Sequence, residues 1–244
     1  MPTFDSGPPG PWAQLFDQAP LAAYVGHPSD RFRTEFAPVY YRGRLDGSAR
    51  VLVVGQDPST DEILAQRILV GEAGQRVQRL LTKLGVARSY VMFNTFLFGV
   101  HGQFDSTLRT ISSTNPICSY RNSLLDRVVA SNQIQAVLAI GKAAQHAVAQ
   151  WPGAAGLTRF DLMHPTALGG VTADWNAALP ALQAAIPADP GVAPDPTPFG
   201  ATFTPADLQP IPREDLPFGL PSWHGTGGTH SSRDRSRTRI VWSV

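Results

Sequence analysis

The chain has 244 residues, of which 43% are hydrophobic and 16% are charged, so it can form a buried core and is not disordered throughout. With 20 Lys and Arg residues against 19 Asp and Glu residues, the formal net charge is only +1, which excludes polyanion binding through a bulk positive field. The single cysteine, Cys118, can form neither an intrachain disulfide nor a four-cysteine metal site, which favours a reducing compartment. No secretory signal and no apolar run of ~20 residues is visible, so we expect a cytoplasmic protein with no membrane contact.

Proline is concentrated near both ends of the chain. Pro8, Pro9 and Pro11 lie near the start, and ten prolines lie between residues 187 and 221, which is typical of linkers or arms. We therefore expect one domain over residues 1–190 and an extension over residues 191–244 that packs on it. The extension ends in an arginine-rich stretch, residues 230–239, which is interpreted either as a disordered end or as an arm that binds DNA.

Short apolar runs alternate with helical patterns between these ends, which predicts an α/β fold with a mainly parallel sheet of four strands. The predicted strands, in chain order, cover residues 50–55, 90–94, 136–140 and 157–163. The predicted helices lie around residues 77–84, 122–129, 141–150 and 173–186, and Pro180 should kink or split the last of them.

Polar side chains follow three of these strands. Gln56 and Asp57 come after the first strand, Asn94 ends the second, and His164 follows the fourth. Open parallel sheets bind ligands at the carboxyl ends of their strands, so these residues are expected to converge on one edge. A carboxylate, an amide and an imidazole there could serve as general base, hydrogen-bonding reader and electrostatic stabiliser. Each residue alone also fits a structural role, as a turn former, a strand end or a rigid bend.

The same segments resemble the signatures of the uracil-DNA glycosylase superfamily. Residues 53–58, VVGQDP, are similar to a strand and loop that read G-Q-D-P-Y-H in its family-1 enzymes, and residues 162–168, LMHPTAL, are similar to H-P-S-P-L. Residues 93–95, FNT, resemble the strand that ends in the uracil-reading asparagine. Residues 69–74, LVGEAG, look like the F-V-G-x-A-G stretch of iron–sulfur members. The resemblance covers about residues 50 to 186 and implies a three-layer α/β/α fold.

The resemblance also implies a chemistry: an enzyme that flips uracil out of DNA, hydrolyses its glycosidic bond and leaves an abasic site. Asp57 would orient the attacking water and stabilise the cationic sugar, and His164 would stabilise the negative charge on the departing base. Asn94 would read the base edge with Gln56 beside it, and Leu168 would wedge into the vacated stack. The remaining implied contacts are Ser59 and Leu69 to the base and Thr166 to the DNA. We expect a monomer that acts on single- or double-stranded DNA, without a cofactor or metal.

Two positions depart from the family pattern. Ser59 stands where the family-1 pattern has a tyrosine that implies exclusion of thymine, and Leu69 stands where an aromatic ring would stack on the base. With Cys118 alone, the iron–sulfur cluster of some members cannot form. His101, in the long loop of residues 99–116, is interpreted as a surface or packing residue rather than as a covalent trap for the sugar.

Three alternatives stay open at this stage. The base could be mismatched thymine, hypoxanthine or xanthine instead of uracil. The protein could bind abasic sites with little turnover, although the carboxylate of Asp57 argues against this. A small-nucleotide-binding protein is disfavoured because no G-x-G-x-x-G or G-x-x-x-x-G-K-[ST] loop follows the first strand.

Overall fold

The computed structural model describes residues 4–220, and these contain one sheet of five strands. The strands are β1 (Tyr41–Gly43), β2 (Val51–Gly55), β3 (Tyr90–Asn94), β4 (Ala136–Ile140) and β5 (Arg159–Leu162). They lie in the order β1-β3-β2-β4-β5, with β1 antiparallel to β3 and the other neighbours parallel. The predicted α/β fold and its four parallel strands are confirmed. The fifth strand was not predicted, since three residues are too few for a periodic pattern.

Seven α-helices surround this sheet within the described residues. They are α1 (Gly10–Asp17), α2 (Thr60–Ala65), α3 (Glu72–Lys83), α4 (Ser106–Ser113), α5 (Ile117–Ser131), α6 (Gly141–Ala149) and α7 (Val171–Ala185). Four of them, α3, α5, α6 and α7, correspond to predicted helices. No helix in residues 4–220 has the length and apolar character needed to cross a membrane.

The helices form layers on both faces of the sheet, because the central strands bury every side chain. In β2, Val51 and Val53 pack in a cluster with α3 and α7, while Leu52 and Val54 pack in a second cluster with α1, α4, α5 and α6. Alternate side chains of a strand point to opposite faces, so a continuous apolar strand needs cover on both. The result is the three-layer α/β/α arrangement.

Proline is compatible with helix at two places in this fold. Pro180 does not split the last helix, which is continuous from Val171 to Ala185 and buries Trp175 and Leu179 against the sheet. The prolines near the start do not mark a free arm, because α1 begins at Gly10 with proline in its first turn, where a missing N–H costs nothing. Trp12 of this helix is 3% exposed and donates its indole N–H to the carbonyl of Leu45 at 3.0 Å.

The proline-rich segment after α7 packs against the same core as far as residue 220. Asp189 accepts the backbone N–H groups of Ala87 and Arg88, both at 2.8 Å. Farther along, Asp215 is buried at an ion pair with Arg44 and accepts the hydroxyl of Tyr90 at 2.5 Å. The arginine-rich stretch of residues 230–239 lies outside the described residues.

Candidate active site

A cleft of about 1160 Å³ opens where the carboxyl ends of β2 and β5 meet the starts of α3 and α6. It lies at the sheet edge where the polar side chains were expected to converge. Seven of the eight candidate residues line it, namely Gln56, Asp57, Ser59, Leu69, His164, Thr166 and Leu168. The eighth, Asn94, lies next to it beside the end of β2. The structure therefore brings the candidate side chains together, and their chemical roles are a matter for proposal.

Asp57 is held by hydrogen bonds to both of its carboxylate oxygens. The Gln56 side-chain amide donates to Oδ1 at 2.7 Å, and the backbone N–H of Val100 donates to Oδ2 at 2.8 Å. Burial raises the pKa of Asp57 to about 6, although these two donors lower it by stabilising the carboxylate. A buried carboxylate with a pKa near neutrality is suited to accept a proton from water.

Asn94 carries a buried amide that has no partner. The residue is 6% exposed, and neither Oδ1 nor Nδ2 has a hydrogen-bond partner among residues 4–220. The amide lies directly against Gly55, since a β-carbon at that position would be 2.4 Å from Oδ1. Leaving a buried polar group unpaired costs ~1–3 kcal/mol, so this amide would gain from hydrogen bonds to a group that enters the cleft.

His164 has a defined tautomer. The backbone N–H and the hydroxyl of Thr166 approach Nδ1 at 3.3 and 3.0 Å. A backbone N–H can only donate, so Nδ1 is the acceptor and the proton of the neutral ring is on Nε2. Burial, and then the nearby charge of Arg76, lower the pKa of His164 and favour the neutral form. The ring can thus donate one hydrogen bond through Nε2.

Arg76 anchors the loop that carries His164. Its Nη1 donates to the carbonyl of Pro165 at 2.6 Å, while its Nη2 pairs with Glu72 one turn earlier on α3. The guanidinium also lies 4.8 Å from the ring centre of Phe203. Sequence reasoning missed Arg76, because no local pattern connects it with a loop about ninety residues away.

Glu62 ties together the two loops on the β2 side of the cleft. Its carboxylate accepts the backbone N–H groups of Val70 and Gly71, at 2.8 and 2.9 Å, and that of Ser59 at 3.1 Å. Ser59 is the N-cap of α2 and forms a capping box with Glu62. The S-x-x-E spacing of these residues is a local sequence signal for the start of α2, although this helix was not predicted. A capping serine leaves this part of the cleft without an aromatic ring.

Leu69 lies in the cleft wall in a left-handed conformation, with φ at 53°. This conformation turns its carbonyl towards the first turn of α3, where a β-carbon on Gly74 would be only 1.6 Å from the oxygen. Gly74 is therefore required for this packing. Strained backbone of this kind is concentrated at binding and catalytic sites.

Leu168 is fully exposed at the rim of the cleft, with a relative accessibility of 102%. Two glycines with positive φ, Gly169 and Gly170, follow it and lead into α7. Its side chain contributes nothing to the core and is free to contact a molecule at the rim of the cleft.

Phe104 contributes an aromatic side chain to the cleft wall, and the sequence did not identify it. It is partly buried and lies in the segment between β3 and α4. This segment was expected to be one long loop, but it contains α4, whose first turn is capped by the Asp105 carboxylate, which accepts the backbone N–H of Leu108.

His101, in the same segment, is exposed and forms hydrogen bonds with Arg31 through its backbone. In the part of the chain that the structure describes, no cluster of three or more His, Cys, Asp or Glu side chains is arranged to hold a metal ion.

Comparison with known proteins identifies the family of this site. The family model described as "Uracil DNA glycosylase superfamily" matches residues 42–183, from β1 into α7. Comparison with curated proteins gives no match. The matched segment covers more than half of the chain and includes all eight candidate residues. The resemblance found in the sequence is therefore confirmed at the superfamily level. The protein belongs to the uracil DNA glycosylase superfamily.

Proposed function

We propose that the protein is a monofunctional uracil-DNA glycosylase, which releases free uracil and leaves an abasic site. Superfamily membership supports the coarser part of this statement, a DNA glycosylase that acts on DNA. The proposal goes further in two respects: it names uracil as the base that is released, and it assigns chemical roles to the site residues. The observation that carries it is the buried amide of Asn94, which has no hydrogen-bond partner within residues 4–220 and lies beside the cleft that Asp57 and His164 line.

The proposed reaction is hydrolysis of the bond between N1 of uracil and C1′ of deoxyribose. Asp57 holds a water molecule, accepts its proton and stabilises the positive charge on the sugar as the bond breaks. The bonding electron pair leaves with the base and spreads to its oxygen, which accepts a hydrogen bond from His164 Nε2. Water supplies the hydroxyl on C1′, Asp57 releases the accepted proton to solvent, and the uracil anion takes up a proton from solvent.

Base recognition rests on the amide of Asn94. The edge of uracil presents a carbonyl acceptor next to an N–H donor, and a primary amide offers the matching donor and acceptor. Since both amide atoms are unpaired in residues 4–220, the right base recovers the hydrogen bonds that the folded protein lacks. A mismatched edge would leave them unpaired, and such buried losses are the strongest source of discrimination.

A second candidate function is removal of a wider set of bases by the same chemistry. Ser59 caps α2 and Leu69 is aliphatic, so neither places a ring in the cleft to exclude a base with an extra methyl group. Excision of mismatched thymine, hypoxanthine or xanthine would follow if no other group excludes them.

The experiment is a panel of oligonucleotides that differ in one base. Single-stranded and duplex DNA containing uracil, thymine, hypoxanthine or xanthine is incubated with the protein, and alkaline cleavage reports base release. Release of uracil alone supports the proposal, and release of several bases favours the wider candidate. No release of any base, combined with tight binding of an abasic analogue, would reject glycosylase activity and favour an abasic-site-binding protein.

A further inference from the structure

A second part of the cleft wall, formed by Phe104 and Lys142, lies outside the machinery described above. Phe104 precedes α4, and Lys142 is the second residue of α6. Lys142 is exposed and makes no ion pair within residues 4–220. An aromatic ring that is only partly buried and a cation unpaired within the described residues thus face the same cleft.

The ring of Phe104 is supported from α4 and α6. The guanidinium of Arg109 lies 5.6 Å from the ring centre, and the imidazole of His146 lies 5.9 Å from it. Arg109 and His146 are themselves joined, Nη1 to Nδ1, at 3.2 Å. A ring packed in this way is a rigid platform, and its use in binding costs little conformational entropy.

The segment that carries Phe104 is also anchored along its length. Arg31 donates from Nε to the carbonyl of His101 at 2.9 Å and from Nη2 to that of Gln103 at 3.1 Å. Its Nη1 pairs with Asp105 at 2.7 Å. Arg31 lies outside the segment matched by the family model, so a part of the chain beyond that segment holds Phe104 in place.

We infer that Phe104 and Lys142 form a subsite for an unpaired nucleotide next to the flipped one, with its base stacked on Phe104 and its phosphate bound by Lys142. The substrate class is therefore DNA whose bases around the target are unpaired. In a duplex, the face that flipping uncovers on a neighbouring base lies inside the helix at the vacated gap, whereas a base of a single strand can turn outwards and stack on a ring in the cleft wall. Aromatic platforms combined with cations are the general means of binding single strands.

This inference rests on the proposed function, but its test does not need catalysis. Binding is measured by fluorescence anisotropy on a labelled single-stranded oligothymidine without uracil, and on the matching duplex. The variant Phe104→Leu keeps an apolar side chain in the same place and removes the aromatic face. Phe104→Tyr keeps the face, and Phe36→Ala is a matched control because Phe36 is exposed but does not line the cleft.

We expect Phe104→Leu to weaken single-strand binding by roughly ten- to a hundredfold, while duplex binding changes little. Phe104→Tyr and Phe36→Ala should bind like the wild type. Lys142→Gln should lower the slope of log K against log salt by about one. On uracil-containing single strands, Phe104→Leu should raise KM by a larger factor than it lowers kcat.

Equal binding of single strands by Phe104→Leu and the wild type would overturn the inference, as would an equal loss on the duplex. Single-strand binding that depends on Phe104 without release of any base would support the subsite and reject the proposed function. The two claims can therefore fail separately.

Discussion

The backbone N–H of Val100 donates to Oδ2 of Asp57 at 2.8 Å and so fixes the position of the carboxylate in the cleft wall. Val100 also forms an isolated antiparallel bridge with Phe32, next to which Arg33 N–H donates to the carbonyl of Gly99 at 2.9 Å. Phe32 lies outside the segment matched by the family model. The N-terminal part of the chain thus supports the group on which the proposed chemistry depends.

The pH dependence of base release should follow the ionisation of Asp57. Its pKa is raised to about 6 by burial, so the carboxylate required by the proposal is lost as the pH falls through 6. A plot of log kcat/KM against pH should then fall with a slope near one below about pH 6. The neutral form of His164 is favoured by its lowered pKa, which results from burial and from the nearby charge of Arg76.

A variant of Gln56 provides the control for this assignment. Gln56→Leu removes one donor that stabilises the carboxylate, so the inflection should move to higher pH. The same shift affects folding with the opposite sign. Because the pKa of Asp57 is higher in the folded protein than in the unfolded chain, the shift stabilises the fold at low pH, and this stabilisation is lost as the pH rises through about 6. If the inflection of the pH profile does not move in Gln56→Leu, it reports the ionisation of a group other than Asp57.

Arg76 should act as a positioning residue for His164. In Arg76→Met, the donor to the Pro165 carbonyl and the partner of Glu72 are both lost, so the loop that holds His164 is released from α3. We expect the single-turnover rate to fall roughly 10- to 100-fold, which is a smaller loss than we expect from removal of the His164 imidazole itself. DNA binding should change little, and Arg76→Lys should recover part of the rate. Equal rates for Arg76→Met and the wild type would contradict this role.

Gly74 should be essential to the packing of the cleft wall. A β-carbon there would be 1.6 Å from the Leu69 carbonyl oxygen, which belongs to the backbone and cannot rotate away. We expect Gly74→Ala to lower the free energy of unfolding by at least ~1–3 kcal/mol, measured by urea denaturation. Gly10→Ala is the control, since nothing lies within 4 Å of its β-carbon, and it should be neutral or slightly stabilising.

Leu168 should matter more for duplex than for single-stranded substrates. Its side chain is fully exposed, so Leu168→Ala should leave the unfolding free energy unchanged. If Leu168 fills the gap left by a flipped nucleotide, the variant should lose excision activity chiefly on duplex DNA, because there the free-energy cost of unstacking the target base must be offset. Leu64→Ala, at a residue 62% exposed on α2 and outside the cleft wall, is the control and should have no effect. An equal loss on both substrates would argue against a wedge.

Much of the fold could be predicted because β2, β3 and β4 are short, continuous apolar runs, a local pattern that survives in the structure. Asp57 and His164 were identified because strand ends in a parallel sheet share one edge. Elements without a local pattern were missed. The strand β1 has only three residues, and α1 begins among prolines that also mark linkers.

The contacts that complete the site could not be predicted, because they join distant parts of the chain. Arg76 meets the carbonyl of Pro165 across 89 positions, and Arg31 meets Asp105 across 74. Nothing in the residues around Asn94 shows that its amide lies unpaired against Gly55. These relationships depend on tertiary packing, which residue order alone does not display.

The most direct test of the account is single-turnover release of uracil from a single-stranded oligonucleotide by the wild type and by Asp57→Asn. A carboxylate ~4 Å from a developing cation, at an effective dielectric of ~20, contributes about 4 kcal/mol. That corresponds to roughly a thousandfold in rate. We therefore expect the variant to lose about three orders of magnitude in rate while it binds DNA as the wild type does. A rate within tenfold of the wild type would remove Asp57 from the mechanism and contradict the account.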